Sequence, residues 1–242
     1  MNASSLLIAV AGIALFVGTS PASGANGYTP APEKTEDWPG KGVVWNGDHW
    51  NKRRGEFWAN REKDKGAVVF FGDSITEGWY TLSKDFPKWK CANRGISGDP
   101  SRSLVFRLKE DVLDLEPRAV VILIGVNDIA SGGLPEDIAW NIRYCVTAIQ
   151  RWRSGTPVVI NKVMPWGNAQ PHHRQRIALL NRMIEAIPIG RVNVRVCDTW
   201  SIFADENGNP AKDEFPDLLH PNASARVKWH KALNPILEEV VK

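Results

Sequence analysis

Val68-Val69-Phe70-Phe71-Gly72-Asp73-Ser74-Ile75-Thr76-Glu77 is the stretch that decides the fold. Four apolar residues in a row suit a strand buried on both faces. Gly72 permits a sharp turn, and Ser74 stands where a helix should open. A serine there lies beside free backbone N–H groups and the positive end of the helix dipole. Both suit a nucleophile whose intermediate carries an oxyanion. The same residues also read as a capping box, with Ser74 as N-cap and Glu77 three residues on, so this segment alone leaves both readings open.

Outward from it, strand and helix signals alternate. Strand signals fall at 67–71, 90–93, 119–124, 157–163 and 192–197. Helical patterns lie at 74–82, 100–115, 135–153, 171–187 and 221–241, with an earlier one at 50–63. The alternation predicts an α/β fold with a mainly parallel five-stranded sheet, helices on both faces, and a ligand site beyond the carboxyl ends of the strands. Asp99-Pro100 reads as a helix start, with Asp99 as N-cap and Pro100 in the first helical position.

Length and composition bound the function classes. The 242 residues suit one domain. A net charge of +3, with acidic and basic residues interspersed, offers no basic stripe for nucleic acid. Residues 1–24 read as a signal peptide: an apolar run from Leu6 to Val17, then a small-residue stretch, although no Lys or Arg precedes the run. That leaves an uncleaved anchor as the alternative, and a secreted or periplasmic location as the expectation. Residues 25–62 read as an N-terminal arm and helix, and 63–242 as the main domain. Cys91, Cys145 and Cys197 read as three free thiols. Among the 11 tryptophans, Trp79 and Trp166 are the candidates for stacking on a ligand, the others being packing residues.

Further candidate groups follow the strand signals. Gly98 sits in Ile96-Ser97-Gly98-Asp99, Asn127 in Gly125-Val126-Asn127-Asp128, and Asp217 and His220 in Phe215-Pro216-Asp217-Leu218-Leu219-His220-Pro221. Ester cleavage by a serine needs a base, and histidine, with a reference pKa near 6.5, can serve. The imidazole needs an orienting carboxylate, which one turn of loop from Asp217 to His220 can provide. The oxyanion needs fixed donors: the backbone N–H groups of Ser74 and Gly98 and the side-chain amide of Asn127. Each group alone has a plain alternative as a cap, turn or loop glycine. Together, at the ends of separate segments, they point to acyl transfer.

These blocks resemble the SGNH hydrolases, the GDSL-type esterase/lipase family, over about residues 67–240. Gly72-Asp73-Ser74-Ile75 matches the naming block, Gly98 the glycine block, Asn127 the asparagine block, and Asp217 with His220 the last. The resemblance implies Ser74 as nucleophile, His220 as base, Asp217 as its orienter, and an oxyanion hole of Ser74, Gly98 and Asn127. It also implies a flavodoxin-like three-layer α/β/α sandwich and neither metal nor organic cofactor. Gly78-Trp79, Asn93-Arg94-Gly95 and 215–222 are similar to the platelet-activating-factor acetylhydrolase-like branch, which includes secreted esterases and sugar O-acetyl esterases. Pro100 departs from that branch, where Thr is frequent, and this bears on the fine shape of the site.

Other residues take plainer readings. His172-His173 are neighbours that cannot share a metal on a helix face. Residues 205–209 lack the later bidentate Glu of a calcium loop. Asp73 is expected to brace its loop, and Arg94 and Arg102 to form surface salt bridges. The sequence thus predicts a secreted serine esterase removing short acyl groups, acetyl foremost, from carbohydrate or a similar small ester. A lipid or aryl esterase, and a non-catalytic carbohydrate-binding module on the same fold, remain as alternatives.

Overall fold

The computed structural model describes residues 27–242, so the expected signal segment at 1–24 lies outside the described residues. Strands β1 (Val68–Gly72), β2 (Cys91–Gly95), β3 (Ala119–Leu123), β4 (Val158–Asn161) and β5 (Val194–Cys197) form one sheet in the order β2-β1-β3-β4-β5. Every pairing is parallel. The helices are α1 (Asp48–Asn60), α2 (Ser74–Glu77), α3 (Leu82–Asp85), α4 (Ser101–Asp111), α5 (Val126–Ala130), α6 (Pro135–Trp152), α7 (Pro171–Ala186), α8 (Thr199–Phe203) and α9 (Ala223–Val240). Among the described residues no helix is long and apolar enough to cross a membrane.

Strands β1, β3 and β4 are buried at every position, as their unbroken apolar runs require. Successive strand residues face opposite ways, and β1 shows both layers. Phe70 meets Trp79 and Phe86, with the Trp229 ring of α9 tilted against Trp79 at 4.4 Å between centroids. Phe71 faces the other way, 4.4 Å from the Arg107 guanidinium of α4. Helices α1, α4, α6 and α7 pack in succession, while α9 lies on β5 and α8. From β1 the chain steps out to β2 and returns to β3 on β1's other side. The crevice of such a sheet opens where the strand order reverses, here at the ends of β1 and β3.

Two glycines let α2 sit directly on the strand ends. A Cβ on Gly95 would clash with the Glu77 nitrogen, and one on Gly72 with the Thr76 hydroxyl of α2.

Several local expectations are corrected. The helix expected over 74–82 splits into α2 and α3, because Gly78 caps α2 and Trp79 turns inward. Trp79 is 1% exposed, and its Nε1–H donates to Asp85 at 2.5 Å. It is a core residue and does not face a ligand. Helix α4 starts at Ser101, with Pro100 extended before it. Its cap comes from Asp128 rather than Asp99: the Ser101 N–H donates to that carboxylate at 2.9 and 3.1 Å and the Ser101 hydroxyl at 2.7 Å. Asp73, not Ser74, caps α2, accepting from the Ile75 N–H at 3.0 Å. Arg94 is buried, paired with Asp64 at 2.9 Å. Among the described residues Arg102 has no salt-bridge partner; it donates to the carbonyls of Thr35, Trp38, Pro39 and Gly42.

Those carbonyls belong to the N-terminal arm, residues 27–47. Asn141 of α6 accepts from the Lys41 N–H at 2.9 Å and donates to its carbonyl at 2.8 Å. Trp38 packs on Trp50 and Phe106 in a small second core.

Candidate active site

Ser74 opens α2 immediately beyond β1, half-buried, with its Oγ 2.9 Å from His220 Nε2. His220 Nδ1 lies 2.6 Å from Asp217 Oδ2. The other Asp217 oxygen accepts from the backbone N–H groups of His220 at 2.7 Å and Leu219 at 3.0 Å. Leu218 takes the left-handed conformation, φ 63°, which bends the loop so that one carboxylate receives all three donors. The Leu218 carbonyl accepts from Gly167 at 2.9 Å, tying this loop to the segment after β4.

Burial works against the Asp217 charge, but the backbone N–H of His220, the His220 ring and the Leu219 N–H outweigh it and bring the carboxyl down to about 2. The carboxylate is therefore ionised wherever the enzyme could work, and it fixes the imidazole so that its far nitrogen faces Ser74.

Gly98 has φ 85°, a conformation that favours glycine. The backbone N–H groups of Ser74 and Gly98 have no acceptor among the described residues. Asn127 spends one of its two amide hydrogens on the Asp99 carbonyl at 3.1 Å, which places it against the Gly98 loop. Glu77 fastens that loop to α2: its carboxylate accepts from the Ser97 N–H at 2.6 Å and hydroxyl at 2.8 Å. Burial opposes this charge, yet His49, Ser97 and Arg53 hold Glu77 below its ordinary value.

Three buried carboxylates underlie the site. Asp73, Asp99 and Asp128 are each at most 1% exposed. Burial pushes Asp73 and Asp128 up to about 7 and Asp99 to about 6, against the pull of their hydrogen bonds and, for Asp99, of Arg107. Unfolded, such groups titrate near 3.9, so the folded chain binds more protons between about pH 4 and 7, and stability falls as pH rises through that window. Calorimetry from pH 5 to 8 is expected to give its highest midpoint at the acid end, with a change on the order of 5–7 kcal/mol. A midpoint that rises toward pH 8 overturns this.

The structure brings Ser74, Asp217 and His220 together and sets Gly98 and Asn127 side by side through Asp99. Trp166 is partly exposed and stacks on His173 at 5.2 Å, next to Gly167 and the Leu218 loop. Three features were missed. In the sequence Glu77 reads only as part of a cap. Arg107, buried beneath the Gly98 loop, gave no local signal. Trp45 lies in an arm with no periodicity, and a Cβ on Gly98 would meet three carbons of its ring at 3.2–3.4 Å.

Cys91, Cys145 and Cys197 are unpaired, and burial pushes each thiol up to about 12. Asp205 accepts from Asn207 and Asn209 at 2.9 and 2.8 Å, making a polar turn. Among the described residues no group of three or more His, Cys, Asp or Glu could hold a metal ion.

The sequence model of the GDSL-like Lipase/Acylhydrolase family matches residues 70–225. Human platelet-activating factor acetylhydrolase IB subunit alpha2 is 23% identical over 203 residues, covering 81% of this chain and 86% of that protein. The Drosophila melanogaster subunit beta homolog is 27% identical over 186 residues, covering 74% and 78%. A GDSL-like lipase structure from Bacteroides thetaiotaomicron shares 26% identity at TM-score 0.64, covering 74% of this chain and 90% of its own. A variant of an acetyl xylan esterase from Geobacillus stearothermophilus shares the fold at TM-score 0.58 and 21% identity, covering 73% and 96%.

Proposed function

Because this chain belongs to the GDSL-like lipase/acylhydrolase family, and is a carboxylic ester hydrolase, we propose that it removes short acyl groups, acetyl foremost, from carbohydrate through an acyl-enzyme on Ser74. The observation that carries the reading is the line of contacts from Ser74 Oγ to His220 at 2.9 Å and on to Asp217 at 2.6 Å. The acyl group is suggested by the relatives, whose names include acetylhydrolases and an acetyl xylan esterase.

Ser74 Oγ attacks the ester carbonyl carbon while His220 Nε2 takes its proton. Asp217 holds the ring in place and stabilises the imidazolium. The tetrahedral oxyanion takes the free N–H groups of Ser74 and Gly98 and the remaining amide hydrogen of Asn127, donors already in place before charge develops. The intermediate collapses, the carbonyl–alkoxy bond breaks, and the leaving oxygen takes the proton from His220. Water then attacks the acyl-serine with His220 again as base, releasing the carboxylic acid and restoring Ser74.

Turnover of p-nitrophenyl acetate, butyrate and octanoate, followed by acetylated xylooligosaccharides, tests the substrate. Acetate is expected to exceed octanoate in kcat/KM by about tenfold or more; preference for octanoate replaces the sugar reading with a lipid one. The proposal includes export, on the signal reading of residues 1–24. The same assay on fractions of a producing strain checks it, and activity confined to the cytoplasm overturns it.

A further inference from the structure

We infer that Trp45 is a specificity-determining residue that seats the sugar ring of the ester's alcohol part, an assignment that rests on the carbohydrate reading above. Its ring lies against Gly98, close enough that a Cβ there would touch three of its carbons at 3.2–3.4 Å. Gly98 offers one of the free N–H groups in the site, and its loop is bound to the nucleophile helix through Ser97 and Glu77. The indole therefore forms part of the rim around the reacting carbonyl.

The ring is held but left uncovered. Its backbone carbonyl accepts from Ser103 Oγ at 3.3 Å. The segment before it is fastened by Arg102 and by both hydrogen bonds of Asn141 to Lys41. Trp38 and Trp50, from the same part of the chain, are 4% and 0% exposed, whereas Trp45 is 38% exposed. Among the described residues no other ring or cation stacks on it and its Nε1–H has no acceptor. A rigid aromatic face in water is a platform for an apolar ring face, and the C–H face of a pyranose fits it.

Exposure also separates the alcohol part from the acyl part. A wall that limited acyl length would be enclosed, while an oligosaccharide alcohol runs out across the rim. Residue 45 lies outside the 70–225 span that the family model matches.

The test compares wild type, Trp45→Ala and Trp45→Phe on two acetyl esters, acetylated xylooligosaccharide and vinyl acetate, which has no ring in its alcohol part. Thermal midpoints check that each variant folds. Trp45→Ala is expected to lose about 5- to 10-fold more kcat/KM on the sugar ester than on vinyl acetate, chiefly through KM, and Trp45→Phe to recover most of it. Equal losses on both esters make Trp45 a brace for the Gly98 loop and overturn the inference. So does an unchanged kcat/KM of Trp45→Ala on the sugar ester, or failure of Trp45→Phe to recover in a folded protein. If wild type cleaves vinyl acetate and no sugar ester, the carbohydrate reading itself falls and this inference with it. The other failures occur with that reading intact.

Discussion

Ser74→Ala is expected to lower kcat for p-nitrophenyl acetate by at least about 10⁴-fold and to leave the thermal midpoint where it was. Among the described residues the Ser74 hydroxyl, at 2.9 Å, is the hydrogen-bond partner of His220 Nε2. Its loss costs little packing, because Ser74 is half-exposed and the α2 cap belongs to Asp73. The backbone N–H of residue 74 survives the substitution. Residual turnover should therefore reflect transition-state binding by the donors alone, with water attacking directly. A serine-directed phosphonate supplies the second readout: it should add to wild type and spare the variant. A variant within tenfold of wild type, or one still labelled at the same rate, removes Ser74 from the chemistry.

The second large effect is on stability. Arg107→Met is expected to cost about 3–5 kcal/mol, a fall of roughly 6–20 °C in midpoint for a chain of this size. The Arg107 side chain is fully buried and pairs with Asp99 at 2.8 Å and Asp111 at 3.2 Å. It also donates to the Gly72 carbonyl at 3.0 Å. Removing the cation leaves Asp99 buried with the Trp50 indole N–H at 3.1 Å and the Ser103 hydroxyl, two neutral donors, to meet it. Methionine keeps most of the volume, so the loss reads the charge and its hydrogen bonds rather than a cavity. Adding Asp99→Asn should restore part of the loss, since the stranded charge is then gone. Urea melts of the single and double variants measure both, and a single-variant cost under about 1 kcal/mol contradicts the account.

The sheet was legible wherever burial is two-sided, because a strand covered on both faces cannot hide its apolar run; β1, β3 and β4 are of this kind. The short β2, with Asn93 and Arg94 in its middle, was legible mainly through its neighbours. Ser74, Gly98, Asn127, Asp217 and His220 could be picked out because each is a chemically distinctive residue just beyond a strand or loop signal. What failed depended on tertiary partners. Trp79 looked available beside the serine, but the direction of its side chain was decided by Phe70, Phe86 and Trp229. Asp99 looked like a helix cap, and Arg107 claimed it while Asp128 took the helix. Trp45 was invisible because its position depends on carbonyls of a non-periodic arm meeting Arg102 and Asn141, which no local pattern records.

That arm has a consequence for the order in which the molecule assembles. Its fastenings join residues 60 to 100 positions apart in the chain, and the groups that hold it stand on α4 and α6. Neither Arg102 nor Asn141 can receive it until those two helices have packed side by side. Closing loops of that length is entropically costly, and such contacts form late. Docking the arm is thus a final event on the way to the native state, and its release is an early one on the way out. The triad loops and the sheet do not depend on that step. On the proposed reading, a partly opened molecule is still an esterase, one whose doorway has lost its indole jamb.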